Sequence, residues 1–108
     1  MSEWDVLFER SADGDNAVLA VSGEIDLAVA TRFGVELESL VAERTTGIVD
    51  LSGVGFIDSS GIRELLKARR AALDAGGQLL LRNLSPSCRR VLDVSGVLGE
   101  FTVQDAAS

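Results

Sequence analysis

Gly53-Val54-Gly55-Phe56-Ile57-Asp58-Ser59-Ser60-Gly61-Ile62-Arg63-Glu64-Leu65-Leu66 decides how this chain is read. It sets one acid and two hydroxyls between a short apolar strand, Ile48 to Leu51, and an apolar-striped helix expected from about Ser60 to Ala75. The first backbone N–H groups of a helix have no intrahelical partner and carry partial positive charge. A carboxylate or hydroxyl there caps the helix, and a phosphate would meet the same donors. Asp58 and Ser59 are both candidates for the cap. If Ser59 is the cap, Ser59→Ala is expected to cost about 0.5–2 kcal/mol.

Upstream, Trp4, Val6 and Phe8 alternate with Asp5, Leu7 and Glu9, the pattern of a strand with one strongly apolar face. Asp13-Gly14-Asp15-Asn16 has turn chemistry, and Ala17 to Val21 is almost continuously apolar, so the two segments read as an antiparallel hairpin. Asp26 can cap a helix from Leu27 to Glu43, where Phe33, Leu37, Leu40 and Val41 form one buried stripe. Thr45-Thr46-Gly47 is expected to end it.

Downstream, Ile62, Leu65, Leu66, Ala72 and Leu73 are expected to face inward on the second helix, with Arg69 at the margin of the stripe. Gly76-Gly77 stops that helix, and Leu79-Leu80-Leu81 is the next buried strand. Ser85-Pro86 starts a third helix that buries Cys88, Val91 and Leu92 and ends at Gly96. Phe101 and Val103 suit a short edge strand before the tail from Asp105 to Ser108 frays. The order ββαβαβα, with a possible short final strand, implies an α/β domain: a mixed sheet of four to five strands with three helices and right-handed crossovers.

Composition narrows the function. The 108 residues make one domain, and 46% hydrophobic with 25% charged residues is ordinary for a globular chain. A net charge of −7 argues against nucleic acid as a partner. No apolar run approaches the ~20 residues that span a bilayer, and the acidic start does not suit a signal peptide. One cysteine leaves no internal disulfide, which fits a reducing cytosol, and Cys88 reads as core filler. With no histidine there can be no Ser-His-Asp triad or Cys-His dyad. There is also no Gly-x-Ser-x-Gly elbow and no phosphate-cradling glycine loop, so a hydrolase built on Ser59 is disfavoured and no cofactor is expected.

The ordered motifs carry a resemblance. Asp58-Ser59-Ser60-Gly61 after Phe56-Ile57 resembles the phosphoacceptor motif of the STAS-domain anti-sigma-factor antagonists, and Gly23-Glu24-Ile25-Asp26 resembles their Gly-Glu-(Leu/Ile)-Asp motif. Val49 to Gly53, Gly76 to Arg82, and Val91 to Val97 with Phe101 follow in matching order, so the likeness spans about residues 5 to 105.

The resemblance implies a single STAS domain over residues 1–108, with Ser59 as phosphoacceptor and Asp26, Asp58, Ser60, Gly61 and Arg63 as partner-binding residues. It also implies a cytoplasmic, non-enzymatic protein, monomeric or weakly dimeric. Its unphosphorylated form would bind an anti-sigma factor with serine kinase activity and free the sigma factor. Phosphorylation would end the complex, and a metal-dependent serine phosphatase would restore it. The rival role for a lone STAS protein is a subunit on the ATPase of a lipid-transporting ABC complex.

From the residues themselves, Asp58 and Asp26 keep the reading of plain helix caps, and Ser60 and Gly61 read as structural. Arg63, Lys67 and Arg70 form a basic ridge at i, i+4 and i+7 that suits a solvated face, with Arg63 one turn from Ser59.

Overall fold

The computed structural model describes residues 6–105. The elements run β1 (Leu7–Asp13), β2 (Asn16–Ile25), α1 (Leu27–Glu43), β3 (Thr46–Ile57), α2 (Ser59–Asp74), β4 (Gln78–Arg82), α3 (Pro86–Val94) and β5 (Thr102–Gln104), with a 3-10 turn at Leu98–Glu100. The five strands lie in the order β1-β2-β3-β4-β5. The β1–β2 pair is antiparallel, and each later neighbour is parallel. This is the expected mixed sheet, with the final strand present as its fifth member.

The expected face of Trp4, Val6 and Phe8 is described only in part, because Trp4 and Asp5 lie outside the described residues. Val6 is buried and Phe8 half-buried, its ring stacked 6.3 Å from that of Phe33. Gly14, at φ +62°, allows the hairpin to turn where a Cβ would be strained. The apolar side chains of α1, α2 and α3 (Phe33, Leu37, Leu65, Cys88 and Leu92 among them) share one core with Leu19, Val49, Leu51 and Leu81 of the sheet. One position out of phase, Val18, Ile48 and Leu80 point to the opposite side and make a separate trio. Arg82 ties β4 to Asp13 at the end of β1 (2.8 Å) and to Gln104 of β5.

Three expectations are corrected. The central strand is far longer than Ile48 to Leu51, and Thr46 and Gly47 belong to it. Ser52, Gly53 and Gly55 look like a loop in sequence, yet two register shifts against β2 let parallel pairing continue to Ile25↔Ile57. Gly53 is needed there, because a Cβ would come within 2.7 Å of the Ser22 Cβ.

On α2, Leu73 is 48% exposed and Leu66 is only half-buried. The buried line is Leu65, Ala68 and Ala72, spaced i, i+3 and i+7, and Leu73 lies about 100° past it. Val41 of α1 is likewise half-buried at the edge of its stripe. The third helix follows the sequence closely. The Ser85 hydroxyl accepts from the Cys88 N–H at 3.1 Å, Pro86 opens the helix and Cys88 is buried, its thiol pushed up to about 11 by desolvation.

Candidate functional site

Parallel pairing of Glu24 with Phe56 and of Ile25 with Ile57 ends β2 and β3 side by side, so α1 and α2 begin next to each other. A backbone bond from the Asp58 N–H to the Ile25 carbonyl (3.1 Å) fastens the two junctions. Gly61 brings α2 down onto them. A Cβ at this position would sit 2.8 Å from both Ile25 Cγ2 and Ile57 Cγ1, and those side chains are fully buried. Only glycine fits this approach without displacing them.

Asp58 is the N-cap of α2, in extended conformation, which begins the helix at Ser59 rather than Ser60. Its Oδ1 accepts from the Ser60 N–H (2.9 Å), the Gly61 N–H (3.3 Å) and the Ser60 hydroxyl. The Leu27 N–H, at the start of α1, faces the same carboxylate and adds a small favourable field. Burial pushes the Asp58 pKa up, but the three α2 donors and this N–H outweigh it and hold the group below its ordinary value of 3.8. Asp58 is therefore ionised near neutral pH and bound to the start of α2.

Ser59 occupies the first helical position, exposed, and its hydroxyl has no hydrogen bond among the described residues. Ser60 differs: it is 9% exposed and its hydroxyl is held by Asp58. Two adjacent serines thus have opposite environments, one open to chemistry and one committed to the cap. Because Asp58 does the capping, the estimate that assigned the cap to Ser59 is revised. Ser59→Ala is expected to change stability by no more than about 0.5 kcal/mol. A urea melt showing a loss above about 1 kcal/mol would return the residue to a structural role.

Asp26 sits at the N-cap of α1, where its carbonyl accepts from Val29 and Ala30, but its side chain makes no cap bond. Asp26 Oδ1 is buried and has no donor among the described residues. Leaving such an oxygen unpaired costs about 1–3 kcal/mol, so an arriving donor would be held favourably.

Arg63 is exposed one turn beyond Ser59. Of the sequence-derived candidates, the structure gathers Asp26, Asp58 and Ser59 at the paired junctions, with Arg63 beside them on α2. Ser60 and Gly61 lie beneath this surface. Two residues that sequence reasoning missed are Leu27, 76% exposed, and Phe56, 44% exposed, which flank the acids with apolar surface. Leu27 could have been found as the apolar residue that falls off the Phe33-Leu37-Leu40 stripe.

Known proteins share this fold. A family model described as "Mlab, STAS domain" matches residues 8–103. A STAS-domain containing protein of Pseudomonas aeruginosa is 31% identical over 85 residues, covering 79% of this chain and 84% of its own. The anti-sigma F factor antagonist of Lysinibacillus sphaericus is 29% identical over 77% of this chain and 73% of its own. Among solved structures, the anti-sigma factor antagonist SpoIIAA in its unphosphorylated form superposes with a TM-score of 0.76 at 26% identity, covering 94% of this chain and 90% of that one. The phosphorylated form of the Bacillus SpoIIAA gives 0.71 at 26% identity, covering 94% and 93%.

Proposed function

Because this chain belongs to the STAS-domain family, we propose that it is an anti-sigma-factor antagonist whose binding is switched by phosphate on Ser59. The observation that carries the reading is the contrast between the two serines. The Ser59 hydroxyl is exposed and unengaged at the head of α2, while that of Ser60 is buried against Asp58.

The unmodified surface would offer Leu27 and Phe56 as apolar contacts and Asp26 Oδ1 as an acceptor to a cytoplasmic serine-kinase anti-sigma factor. In the kinase step the Ser59 Oγ attacks the γ-phosphorus of ATP, the bond to the β–γ bridging oxygen breaks and ADP leaves. The hydroxyl proton passes to a base of the kinase. A metal-dependent serine phosphatase reverses the modification by hydrolysis. This protein is the substrate and ligand in the cycle.

Phosphate adds about −1.5 to −2 charges beside Asp58, Asp26 and Glu24. A partner surface fitted to a neutral serine would then have to desolvate a dianion among carboxylates. Like charges brought together at an interface cost several kcal/mol, so affinity should fall on the order of 100-fold. Ser59→Asp carries less charge and should fall less.

The test combines phosphorylation and binding. The protein is incubated with lysate of its own cells and ATP, then examined by intact mass and site mapping. Phosphate on Ser59, absent from Ser59→Ala, supports the reading. Phosphate on Ser60, Thr31 or Thr46, or none at all, overturns the residue assignment. Equal affinity of Ser59→Ala and Ser59→Asp for the captured kinase overturns the charge switch. Copurification with a transporter ATPase in place of a kinase overturns the partner.

A further inference from the structure

We propose that Arg63 is a built-in phosphoserine-binding residue, which pairs with phosphate on Ser59 within α2 and shields it from removal. This rests on Ser59 as phosphoacceptor and adds to it a group that holds the modified state.

The argument begins with what a phosphate on Ser59 would find. A helix start normally receives an anion with its free N–H groups. Here the Ser60 and Gly61 N–H groups already donate to Asp58 Oδ1, and the Ile62 N–H donates to the Asp58 carbonyl. In the first turn of α2 only the Ser59 N–H is left without an acceptor among the described residues, and one N–H does not balance a dianion. Apart from Arg63, the charged groups gathered around the junction are Asp58 on α2 and Glu24 and Asp26 at the β2–α1 junction, all acidic. The phosphate needs a cation.

Helical geometry supplies one. Residues four apart on a helix have Cβ atoms about 5–6 Å apart, and helical side chains lean toward the N-terminus. Arg63 stands at i+4 from Ser59, a spacing from which its guanidinium can reach back to a phosphate on that hydroxyl. An acid N-terminal to a base at this spacing is the favoured orientation.

The other cations of α2 are already engaged. Lys67 pairs with Glu64 (3.6 Å), Arg69 with Glu100 (3.9 Å) and Arg70 with Asp74 (3.5 Å). Arg63 is exposed and has no ion pair among the described residues. Its planar fork can meet two phosphate oxygens at once, which a lysine cannot do.

Phosphoserine installed at position 59 during translation allows a test that needs no kinase. A cation beside the phosphate favours the dianion, so its second pKa, read by 31P NMR, should be lower in the parent than in Arg63→Gln. The expected difference is about 0.3 unit, shrinking as salt is raised. Arg63→Lys should keep part of it, and Lys67→Gln should leave the parent value unchanged. Hydrolysis by a metal-dependent serine phosphatase should be about twofold faster for Arg63→Gln, the same difference expressed as a population of unshielded phosphate. Equal second pKa values and equal hydrolysis rates for parent and Arg63→Gln would overturn the proposal. Because the phosphate is installed directly, that result stands apart from any failure of a kinase to modify Ser59.

Discussion

Leu65→Ala should lower the stability of the domain by about 2–5 kcal/mol, the range for removing a leucine from a packed interior. Leu65 is fully buried on α2 and belongs to the same cluster as Phe33 and Leu37 of α1. Ridge contact between these helices and the sheet leaves little freedom to collapse into the space, so the lost contacts are not recovered. Urea unfolding should show a lower midpoint at an unchanged slope. Leu73→Ala, near the C-terminal end of α2 and half-exposed, is the comparison and should change stability by no more than about 0.5 kcal/mol. Equal losses for the two variants would mean that the inward face of α2 has been assigned wrongly.

Asp58→Ala should be the most damaging change at the site, at about 2–4 kcal/mol. It removes the cap of α2, typically worth about 0.5–2 kcal/mol. It also leaves the buried Ser60 hydroxyl without an acceptor, which costs about 1–3 kcal/mol more, the two effects overlapping. Asp58→Asn should lose less, since an amide oxygen can still accept.

The acid dependence has a definite sign. The folded pKa of Asp58 is depressed below 3.8, so its ionisation contributes stability that is fully present above the unfolded value. That contribution is lost as pH falls through the lower folded value. Melts of parent and Asp58→Ala should therefore differ by a constant amount above about pH 5 and converge below 3.8. A gap that widened on acidification would contradict the hydrogen-bond arrangement described for this carboxylate.

These two cases mark how far the sequence could be read. The ends of α1, Leu27 and Glu43, were legible because an apolar stripe and an acidic N-cap position agree there. The full reach of β3 was not. Its second half carries Ser52, Gly53 and Gly55, which local propensity assigns to a loop, while pairing with β2 across two bulges keeps it in the sheet. The inward face of α2 was legible at Ile62, Leu65 and Ala72 but not at Leu73, because hydrophobicity alone cannot tell the core from its margin.

At the site, the motif and its resemblance pointed to Asp58 and Ser59 together, and nothing in the order of letters tells which one caps. Backbone dihedrals decide that, since Asp58 is extended while Ser59 is already helical. Exposed Leu27 and Phe56 were missed for another reason: neither lies on a buried stripe or carries a reactive or charged group, so only the fold shows them as apolar surface beside the acids.

The fastening of the two junctions, with the Asp58 N–H on the Ile25 carbonyl and Gly61 pressed onto Ile25 and Ile57, bears on where the state of the proposed switch would be stored. A backbone so held has little room to register a new group on the neighbouring hydroxyl. If Ser59 is modified as proposed, the record would exist as local charge, legible to whatever touches that patch. Val18, Ile48 and Leu80, on the other side of the sheet, form a separate cluster and would receive no news of it. Such a protein would store one bit at one address, to be retrieved by a reader that docks there.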